Sequence, residues 1–485
     1  MQHDLKKILD SIASDCAISG IADDSRKVKA GNIFFALRGN HFDGIDFIDQ
    51  AIRRGAAAVV VRKTDEIKAR NKLAAWGVSC PFFAVDDVRQ ALALAAKQFF
   101  KIEDGQHSLF AATGTNGKTT ITYLLRHLLN RPTALIGTIA YDLIDKILPS
   151  SQTTPNALEL YSMLADLPRN AAVALEVSSH ALDQKRAYGL DIDGAIFSNL
   201  TSDHLDYHGN RERYFLTKRK LFSGENGTKP KLNILNGDDP FGWQLYEEFG
   251  GITYGIENRK SDYCAYDLQF SENETKFSLK YEEKKYNCRL PVIGQHNVEN
   301  ALAAIAAVHG ESSGQSLDEI VAKLVTFSGV SGRLQRIVSD RGSMVFIDYA
   351  HTEDGLRRVL ENLQKIKHNN IITIFGCGGG RDRSKRPKMM EVACHFSDLI
   401  IATSDNSRHE KTEAIFEDMK AGINSKSHVI FESSRARAIE FALREARNRD
   451  IVLIAGKGHE TYQQIGDKKI PFSDVEIVKN ITAAI

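Results

Sequence analysis

A lysine and two threonines follow a glycine-bearing loop in ATGTNGKTT, residues 112–120. The loop lies between the apolar run SLFAAT and the helical pattern TTITYLLRHLLN, which is the strand–loop–helix context of a phosphate loop. Backbone N–H groups from Gly114 to Lys118 can surround phosphate oxygens at a helix N-terminus. Lys118 can place its charge on the β- and γ-phosphates, and the Thr119 hydroxyl can ligate Mg²⁺. This combination predicts an ATP site, and a glycine-rich turn that carries a lysine by chance is the weaker interpretation.

Acidic and histidine side chains follow two later apolar runs. Glu176 ends the run AVALE, where a buried carboxylate is unfavourable unless another group pairs with it. A magnesium ion opposite the phosphate loop would be such a partner, and a salt-bridged or helix-capping glutamate is the alternative. The segment TSDHLDYHG, residues 201–209, contains Asp203, His204, Asp206 and His208. Metal ligation, a proton relay and helix capping all remain open there, and two histidines without cysteines do not indicate zinc.

Lys218 lies ten residues after His208, in the segment YFLTKRKLF. The pattern of this segment is that of an ordinary amphipathic helix. From the residues alone, Lys218 is therefore interpreted as an exposed lysine without a chemical role.

The stretch IIATSDNSRHE, residues 400–410, ends an apolar run with an acid, an amide and a guanidinium. Ordinary turn and cap chemistry could explain Asp405, Asn406 and Arg408. The same three groups could also bind a zwitterionic molecule, whose carboxylate would pair with the guanidinium. The stretch follows a predicted parallel strand, and doubly wound sheets bind ligands beyond the carboxyl ends of their strands.

Three domains are predicted along the 485 residues, because this length is too great for one hydrophobic core. The predicted fold class is α/β. Residues 1–103 would form a small mixed α/β domain, and residues 104–331 a central P-loop domain with a mostly parallel sheet. Residues 262–290 alternate polar and apolar side chains, which predicts antiparallel hairpins at an edge of that sheet. Residues 332–485 would form a Rossmann-like doubly wound domain, in which a helix pattern follows each apolar run.

The composition excludes several classes of protein. Lys plus Arg number 63 and Asp plus Glu 62, so the net charge of +1 argues against broad nucleic-acid binding. The apolar runs are of strand length, and the amino terminus lacks the apolar core of a signal peptide, so no membrane insertion is expected. Six scattered cysteines without a CxxC pair indicate neither a zinc site nor a disulfide framework, and they favour a reducing cytoplasm.

A series of motifs in one order carries a resemblance to a known family. The motifs are GTNGKTT, EVSSH, TSDHLDYHG, YFLTKRKLF, GQHNVENALAA, GRLQRI, DYAHT, FGCGGGRDRSKRP, TSDNSR and GKGHETYQ. In this order the chain resembles the Mur ligases across essentially its full length. The segment DDSRKVKAGNIFFALRGNHFDG is similar to the UDP-substrate domain of those Mur ligases that add the third residue of the peptidoglycan stem.

The resemblance implies an ATP-dependent, ADP-forming ligase that adds meso-diaminopimelate to UDP-MurNAc-L-Ala-D-Glu. ATP would phosphorylate the terminal carboxylate, and the incoming amine would attack the acyl phosphate through a tetrahedral intermediate. Such a reaction needs positive charge around the transferring phosphoryl group and little covalent chemistry from the protein. The implied enzyme is a monomer of the bacterial cytoplasm whose partners are these small molecules.

The resemblance also assigns residues position by position. The catalytic residues would be Lys118, Glu176, His204 and Lys218. Two Mg²⁺ ions are implied, one held by Thr119 and Glu176 and the other by His204 and a CO₂-derived carbamate on Lys218. The ATP site would comprise Gly114, Thr115, Asn116, Gly117, Lys118, Thr119, Thr120, Asn297, Asn300, Arg333 and Asp348, with His351 in a nearby strand-end loop. The UDP-substrate site would comprise Ser25, Asn40, His41, Phe42, Gln152, Thr153, Thr154, Ser178, Gln184 and Arg186.

In this family, the loop that matches DNSR selects the amino acid. Members that add diaminopimelate typically carry Asp-Asn-Pro-Arg, whereas lysine-adding members lack the arginine. Arg408 would bind the distal carboxylate of diaminopimelate bidentately, and Asp405 and Asn406 would bind the neighbouring ammonium. The full expected site is Arg381, Asp405, Asn406, Ser407, Arg408, Gly456 and Glu460, with Ser407 in place of the usual proline.

Other functions compete with this one. The same ligation with L-lysine or another diamino acid is possible if Arg408 has only a structural role. Folylpolyglutamate synthetase shares the phosphate loop, but the DSR segment near the amino terminus argues against it. A P-loop kinase or a nucleotide-switched binding module would not need a third α/β domain that carries DNSR and GKGHE.

Overall fold

The computed structural model describes residues 8, 10, 18–39, 42–75, 77, 80–201, 203–311, 314–338 and 342–484. Residue contacts divide the chain into two compact units. The first unit comprises Met1–Thr113, Leu129–Ile196 and Phe215–Asn233, and the second comprises Gly114–Leu128, Phe197–Tyr214 and Ile234–Ile485. Within the described ranges, no helix has both the length and the apolar character needed to cross a bilayer.

The first sheet of the first unit is parallel and four-stranded. Its strands pair in chain order and are β1 (Gly20–Ala22), β2 (Asn32–Phe35), β3 (Ala58–Arg62) and β4 (Phe82–Val85). The helices are α1 (Ile48–Arg53), α2 (Glu66–Ala75) and α3 (Val88–Phe99), with short 3₁₀ turns at Ser25–Lys27, Gly44–Phe47 and Lys63–Asp65. The neighbouring residues Phe34 and Phe35 pack into opposite cores, because successive strand side chains point to opposite faces. This parallel sheet with its helices is the α/β arrangement that the sequence predicts for residues 1–103.

The next elements alternate strands and helices, as the sequence predicts. The strands are β5 (Ser108–Thr113), β6 (Thr133–Ile136), β7 (Ala140–Asp142), β8 (Ile147–Pro149), β9 (Ala172–Glu176) and β10 (Gly194–Phe197). The helices are α4 (Lys118–Leu128), α5 (Ala157–Ala165), α6 (Ser179–Asp183), α7 (Leu205–His208) and α8 (Arg211–Ser223). Strand β9 lies between β5 and β6 in parallel register, and β7 and β8 continue from β6 as antiparallel strands. The register pairs Ala112 with Glu176, so Glu176 lies next to the strand that leads into the phosphate loop.

The second unit contains a sheet that changes from parallel to antiparallel. Its strands are β11 (Leu232–Asn236), β12 (Ile252–Gly255), β13 (Tyr263–Phe270), β14 (Thr275–Tyr281) and β15 (Lys284–Leu290). The pairs β11–β12 and β12–β13 are parallel, and β13, β14 and β15 form an antiparallel meander. The predicted antiparallel edge at residues 262–290 is thus confirmed. The helices of this region are α9 (Pro240–Phe249), α10 (Gln295–Gly310) and α11 (Leu317–Lys323), followed by a 3₁₀ turn at Leu324–Thr326.

The last sheet of the second unit is six-stranded and doubly wound. Its strands are β16 (Gln335–Val338), β17 (Met344–Asp348), β18 (Ile371–Phe375), β19 (Leu399–Thr403), β20 (Val429–Glu432) and β21 (Ile451–Ala455). Their order is β16-β17-β21-β18-β19-β20, and only β16, at an edge, is antiparallel. The helices are α12 (Glu353–Gln364), α13 (Lys385–Phe396), α14 (Thr412–Lys420), α15 (Arg435–Glu445) and α16 (Asp474–Ala484). The first three of these pack on one face and the last two on the other, which confirms the doubly wound prediction.

One element of this sheet region differs from the prediction. A hairpin of β22 (Tyr462–Ile465) and β23 (Lys468–Pro471) follows β21, where the sequence predicts a helix directly after the apolar run. Gly466 supplies the turn with a φ of +58°, a left-handed conformation that glycine adopts without a steric penalty. The short polar strands of this hairpin carry no apolar run that could have revealed them.

Candidate active site

The phosphate loop has glycine at two positions because no side chain fits there. Gly114 and Gly117 have φ values of +146° and +90°. A Cβ atom at Gly114 would overlap Ser198 Oγ, and one at Gly117 would overlap Asn300 Oδ1. The loop therefore keeps a bare backbone, which is the surface that phosphate oxygens need.

Residues 198–201, which follow β10, hold the loop in shape. The backbone N–H of Thr115 donates to Asn199 O over 2.8 Å, and that of Asn116 donates to Asn199 Oδ1 over 3.0 Å. Ser198 Oγ donates to Asn116 O over 2.5 Å. The sequence identified neither Ser198 nor Asn199, although both follow the apolar residues GAIF. Asn199 supports the loop through its side chain and its backbone, and Ser198 supports it through its side chain.

The first helix of the last sheet also reaches the phosphate loop. Asn116 Nδ2 donates to Asp354 Oδ2 over 3.0 Å, and Arg358 Nε lies 3.1 Å from the same carboxylate oxygen. Asp354 lies in the first turn of α12, which Thr352 caps by accepting from Gly355 N. The loop and α12 are therefore joined by a hydrogen bond to a charged group.

Two positively charged side chains, Lys118 and Arg333, lie at the amino end of α4. Lys118 Nζ donates to the carbonyl oxygens of Gly114 and Thr115, each over 2.9 Å, which folds the lysine over its own loop. Arg333 NH2 donates to the hydroxyl of the buried Thr119 over 3.1 Å. The Arg333 guanidinium also lies 4.6 Å from the centre of the Tyr349 ring. The structure thus brings three predicted ATP-site residues, Lys118, Thr119 and Arg333, to one helix end, and Thr120 is buried beside them.

Two other residues predicted for the ATP site form hydrogen bonds between their side chains and backbone groups. Asp348 accepts from Leu334 N over 2.6 Å and from Ala350 N over 2.7 Å. Burial raises the pKa of Asp348, and the nearby Arg333 and these N–H groups offset part of that rise. Asn297 Nδ2 donates to Ile293 O over 2.8 Å at the start of α10. Asp348 therefore fixes the segment that carries Arg333, while Asn300 stands against Gly117.

Asp203 and His204 form a charged cluster with His351. His204 Nε2 lies 3.4 Å from Asp203 Oδ2, and the His204 side chain is 45% exposed. Burial raises the pKa of Asp203, but His204, His351, the His204 N–H and Lys118 together bring it below its usual value. His204 adopts the left-handed conformation with a φ of +53°. This cluster keeps an ionised carboxylate next to the predicted metal ligand His204.

Glu176 is fully buried at the end of β9 and is held by a residue that the sequence did not reveal. Thr138 donates to it twice, from its backbone N–H to Oε1 over 3.0 Å and from its hydroxyl to Oε2 over 2.8 Å. A Cβ atom at Gly137 would overlap Glu176 Oε1, so glycine is required there. Thr138 thus provides the pairing that a buried carboxylate needs, and the remaining lone pairs can ligate a cation.

The predicted UDP-substrate residues of the central region form one hydrogen-bonded network. Arg186 NH1 donates to Gln152 Oε1 over 2.5 Å and to Thr154 O over 2.8 Å, and its NH2 donates to Gln184 Oε1 over 2.8 Å. Ser178 caps α6 and donates its backbone N–H to Thr154 Oγ1 over 3.0 Å. Five residues that the sequence predicts for the UDP-substrate site therefore lie in one hydrogen-bonded network.

The other predicted UDP-substrate residues are dispersed. Ser25 is buried and donates to Gln50 Oε1 over 2.5 Å, and Thr153 Oγ1 lies 3.2 Å from Thr138 Oγ1. Phe42 is 72% exposed. The predicted residues Asn40 and His41 lie outside the described part of the chain.

The structure corrects the interpretation of Lys218 as an exposed lysine. Its side chain is only 1% exposed, on α8. The basic residues around it, in TKRK, concealed its position on the buried face of the helix. A buried ammonium is retained where it is paired or chemically altered, so Lys218 is not an ordinary surface lysine.

The residues predicted for the amino-acid site lie on the loops that follow β18, β19 and β21. Arg408 has a φ of +49° and is held by backbone bonds to the hairpin, from Arg408 N to Gln464 O over 3.0 Å and from Gly466 N to Arg408 O over 2.7 Å. Its NH1 donates to Gly379 O over 2.8 Å. Among the described residues, none accepts a hydrogen bond from its Nε or NH2, which leaves one edge of the guanidinium for a ligand.

Asn406 connects Arg408 to an acidic group on the loop after β21. Asn406 Nδ2 donates to Glu460 Oε2 over 2.9 Å, and its backbone oxygen lies 3.5 Å from Arg408 NH1. Lys457, which the sequence did not single out, is fully buried and donates to Asn406 Oδ1 over 3.1 Å and to Glu460 Oε2 over 2.7 Å. A cation and an anion thus flank Asn406.

The other residues predicted for the amino-acid site differ in their exposure to solvent. Asp405 and Ser407 are buried, and a Cβ atom at Gly456 would come within 2.7 Å of Asp405 Oδ2, so glycine allows this close approach. Asp405 Oδ1 accepts from Asn406 N over 2.5 Å. Arg381 is exposed on the loop after β18.

Two buried arginines stabilise the loops that carry the residues predicted for the amino-acid site. Arg386 donates to Glu410 Oε2 over 2.6 Å, and Glu410 Oε1 accepts from Gly380 N over 3.1 Å, which secures the glycine-rich loop after β18. Arg435 forms a fully buried pair with Asp474, 2.8 Å apart, and donates to Ala455 O over 2.9 Å. Both arginines are inaccessible to solvent and hold the ends of strands or the loops that follow them.

The predicted magnesium ligands have suitable chemistry. The Thr119 hydroxyl and the Glu176 carboxylate are hard oxygen donors of the type that Mg²⁺ prefers. An unmodified Lys218 ammonium cannot ligate a cation, and a carbamate on it could. Among the described side chains, no group of three or more His, Cys, Asp or Glu residues is arranged to hold a metal ion.

Comparison with known proteins gives consistent matches along the chain. Residues 17–100 match the Mur ligase family catalytic domain, residues 112–308 the Mur ligase middle domain, and residues 332–458 the Mur ligase glutamate ligase domain. Each matched range falls within one of the three predicted domains. The chain therefore belongs to the Mur ligase family, and it is an ATP-dependent, ADP-forming ligase that uses Mg²⁺.

Individual relatives match over nearly the full length. A protein of Solibacter usitatus (strain Ellin6076) is 39% identical over 473 residues, which cover 96% of this chain and 93% of that protein. A protein of Aquifex aeolicus (strain VF5) is 40% identical over 471 residues, which cover 96% of this chain and 93% of that protein. Both are named UDP-N-acetylmuramoyl-L-alanyl-D-glutamate–2,6-diaminopimelate ligase. A solved structure with the same name is 35% identical and covers 96% of this chain and 95% of its own, with a TM-score of 0.67.

Proposed function

We propose that this protein joins meso-diaminopimelate to UDP-MurNAc-L-Ala-D-Glu in an ATP-dependent reaction that releases ADP and phosphate. The observation that carries the proposal is the placement of Arg408 and Glu460 on either side of Asn406. The far end of diaminopimelate bears one carboxylate and one ammonium. The free edge of Arg408 suits the carboxylate in a bidentate pair, and Glu460 suits the ammonium.

The contacts of Asn406 change its expected role. Its Oδ1 accepts from Gln464 N over 2.8 Å and from Lys457 Nζ, and its Nδ2 donates to Glu460. Because its acceptor atom already accepts from these two donors, we propose that Asn406 orients Glu460 in the amino-acid site. Glu460 and the buried Asp405 then supply the negative charge.

The residues at the start of α4 suit the phosphoryl transfer. The bare backbone of residues 114–117 would bind phosphate oxygens, and Lys118 and Arg333 would neutralise the charge on the transferring group. The carboxylate of UDP-MurNAc-L-Ala-D-Glu would become an acyl phosphate. The amine of diaminopimelate would then displace phosphate from it and form the new amide bond.

We further propose two Mg²⁺ sites, with Thr119 and Glu176 for one and His204 and Lys218 for the other. The ions would supply positive charge to the phosphate oxygens. A carbamate formed from CO₂ on the buried Lys218 would convert the side chain into an anionic ligand. Lys218→Ala should abolish ligation, and added short carboxylates should partly restore it; full activity of the alanine variant would exclude the carbamate.

The primary test measures phosphate release by the purified protein with ATP, Mg²⁺ and UDP-MurNAc-L-Ala-D-Glu. The amino acid is meso-diaminopimelate, L-lysine or absent. We expect release only with diaminopimelate, together with the UDP-MurNAc-tripeptide by mass spectrometry. Equal or faster release with lysine would make Arg408 a structural residue and identify a lysine-adding ligase.

The remaining parts of the proposal concern assembly and location. We propose a monomer, as the resemblance to the Mur ligases implies, and light scattering during gel filtration would test this. We place the reaction in the bacterial cytoplasm, where ATP is available. Fractionation of cells with an antibody against the protein would test the location.

A further inference from the structure

Lys457 is a fully buried lysine in the loop after β21, and no step of the reaction described above uses it. Its ammonium donates to Asn406 Oδ1 over 3.1 Å and to Glu460 Oε2 over 2.7 Å. Its Nζ lies 5.6 Å from the centre of the Tyr462 ring. A buried ammonium is retained only where it is paired, and here both hydrogen-bond acceptors belong to the amino-acid site.

The contacts of Lys457 determine how Glu460 is presented. Glu460 Oε2 accepts from both Lys457 and Asn406. Among the described residues, none donates a hydrogen bond to Oε1. The carboxylate is thus held at one oxygen and open at the other, which is the arrangement that a ligand ammonium needs.

Lys457 also determines the orientation of the Asn406 amide. With Lys457 Nζ and Gln464 N both donating to Oδ1, the Nδ2 group must face Glu460. Without the ammonium, Gln464 N alone would hold Oδ1, and Glu460 Oε2 would keep only its contact with Asn406 Nδ2. The Glu460 carboxylate would then be held by one neutral donor and would leave its position more readily.

Resting on the proposed function, we infer that Lys457 is a positioning residue for the amino-acid substrate and acts through Glu460 and Asn406. It does not touch the substrate. The alternative is a purely structural role, in which Lys457 only stabilises the loop after β21. A stabilising role alone would affect all three substrates alike, whereas positioning affects the amino acid alone.

The test compares Lys457→Met with Lys469→Met in the full-length protein. Lys469 is a matched control because its Nζ lies 4.2 Å from the same Tyr462 ring but it is exposed on β23 and contacts neither Asn406 nor Glu460. For Lys457→Met we expect the KM for diaminopimelate to rise about tenfold or more, as for the loss of a hydrogen bond to a charged group. The KM values for ATP and UDP-MurNAc-L-Ala-D-Glu should remain unchanged, and Lys469→Met should match the wild type.

A double-mutant cycle with Glu460→Gln separates the two roles further. If Lys457 acts through Glu460, the double variant should be no worse for diaminopimelate than Glu460→Gln alone. Lys457→Arg keeps the charge and should recover part of the lost affinity, and it serves as the second variant if Lys457→Met does not fold. Additive effects in the cycle, or an equal rise in all three KM values, would overturn the inference. Failure of the wild type to use diaminopimelate would instead overturn the proposed function.

Discussion

The side-chain amide of Asn116, in the phosphate loop, donates to the carboxylate of Asp354, in the first turn of α12, over 3.0 Å. The two residues are 238 positions apart in the sequence. This bond joins the predicted phosphate loop to the sheet that carries the predicted amino-acid site. We therefore expect α12 to help hold the loop in the conformation that would bind ATP.

Removal of that bond should weaken ATP binding. We expect Asp354→Ala to raise the KM for ATP by about tenfold, because a hydrogen bond to a charged acceptor is lost. Glu353→Ala is the control, since the neighbouring carboxylate pairs only with Arg357 on the helix surface among the described residues. Steady-state kinetics at saturating amino acid would measure both variants. Equal KM values for ATP in the two variants would rule out a role of Asp354 in the loop.

Arg408 should set the choice of amino acid. Arg408→Ala should lower kcat/KM for diaminopimelate by about 30-fold to several-thousand-fold, which corresponds to the ~2–5 kcal/mol for truncating a buried charge pair. The same variant should lose its preference over L-lysine, because lysine lacks the second carboxylate. Arg437→Ala, an exposed arginine paired with Glu432, should behave as the wild type. Competition between the two amino acids in one reaction, followed by mass spectrometry, would reveal a retained preference and thereby refute the role.

The buried pair of Arg435 and Asp474 should be required for the stability of the last sheet. Asp474→Ala leaves an uncompensated guanidinium in the interior, so we expect a loss of about 3–5 kcal/mol. Arg444→Ala breaks an exposed pair with Glu440 and should change stability by about 0–1 kcal/mol. Hydrogen exchange of the amides in β21 would report the free energy of opening. Similar exchange in both variants would contradict the assigned importance of the buried pair.

His296 should make stability depend on pH. Burial, with Arg358 and Lys365 nearby, lowers the pKa of His296 to about 4, from 6.5 in an exposed histidine. Asn362 Nδ2 lies 2.9 Å from His296 Nδ1, and because Asn362 Oδ1 accepts from Gln295 N, this ring nitrogen must accept and is unprotonated. Below pH 6.5 the unfolded chain binds a proton that the folded chain does not. The contribution of neutral His296 is thus present above that pH and is lost as the pH falls toward 4.

The comparison of wild type with His296→Gln isolates this effect. The stability of the wild type relative to the variant should fall by about 1.4 kcal/mol for each pH unit below 6.5. Burial raises the pKa of Glu299 to about 7, which acts in the opposite direction, but that contribution is common to both proteins and cancels. Hydrogen exchange of α10 amides at pH 7.5, 6.0 and 5.0 would measure the difference. A difference that stays constant with pH would mean that the fold leaves the pKa of His296 at its ordinary value.

The parts of the fold that the sequence predicts are those that depend on local patterns. Ile371–Phe375 and Ile451–Ala455 are buried on both faces and therefore appear as continuous apolar runs. Residues 263–290 alternate because one face is covered. The hairpin Tyr462–Pro471 escapes prediction because its strands are short, polar and stabilised by the loop that contains Arg408.

The residues of the candidate site also divide into those that a local sequence pattern reveals and those that it does not. Residues of the phosphate loop and of DNSR are apparent from their spacing and from the resemblance to a family. Thr138 and Lys457 are not, because their importance comes from contacts with Glu176, Asn406 and Glu460, which a linear pattern does not encode. Lys218 shows that local charge misleads, since basic neighbours make a buried lysine look exposed.

The position of β21 in the sheet has a consequence for synthesis on the ribosome. Strand β21 lies between β17 and β18, yet it is translated about 75 residues after β18. At a synthesis rate of about 5–20 residues per second, β18 would wait roughly four to fifteen seconds for the strand that joins it to β17. During this interval each nascent strand has an unpaired apolar edge, which is a target for chaperones and a starting point for aggregation. Conditions that slow translation between residues 375 and 451 should therefore lower the yield of folded protein more than equal delays elsewhere.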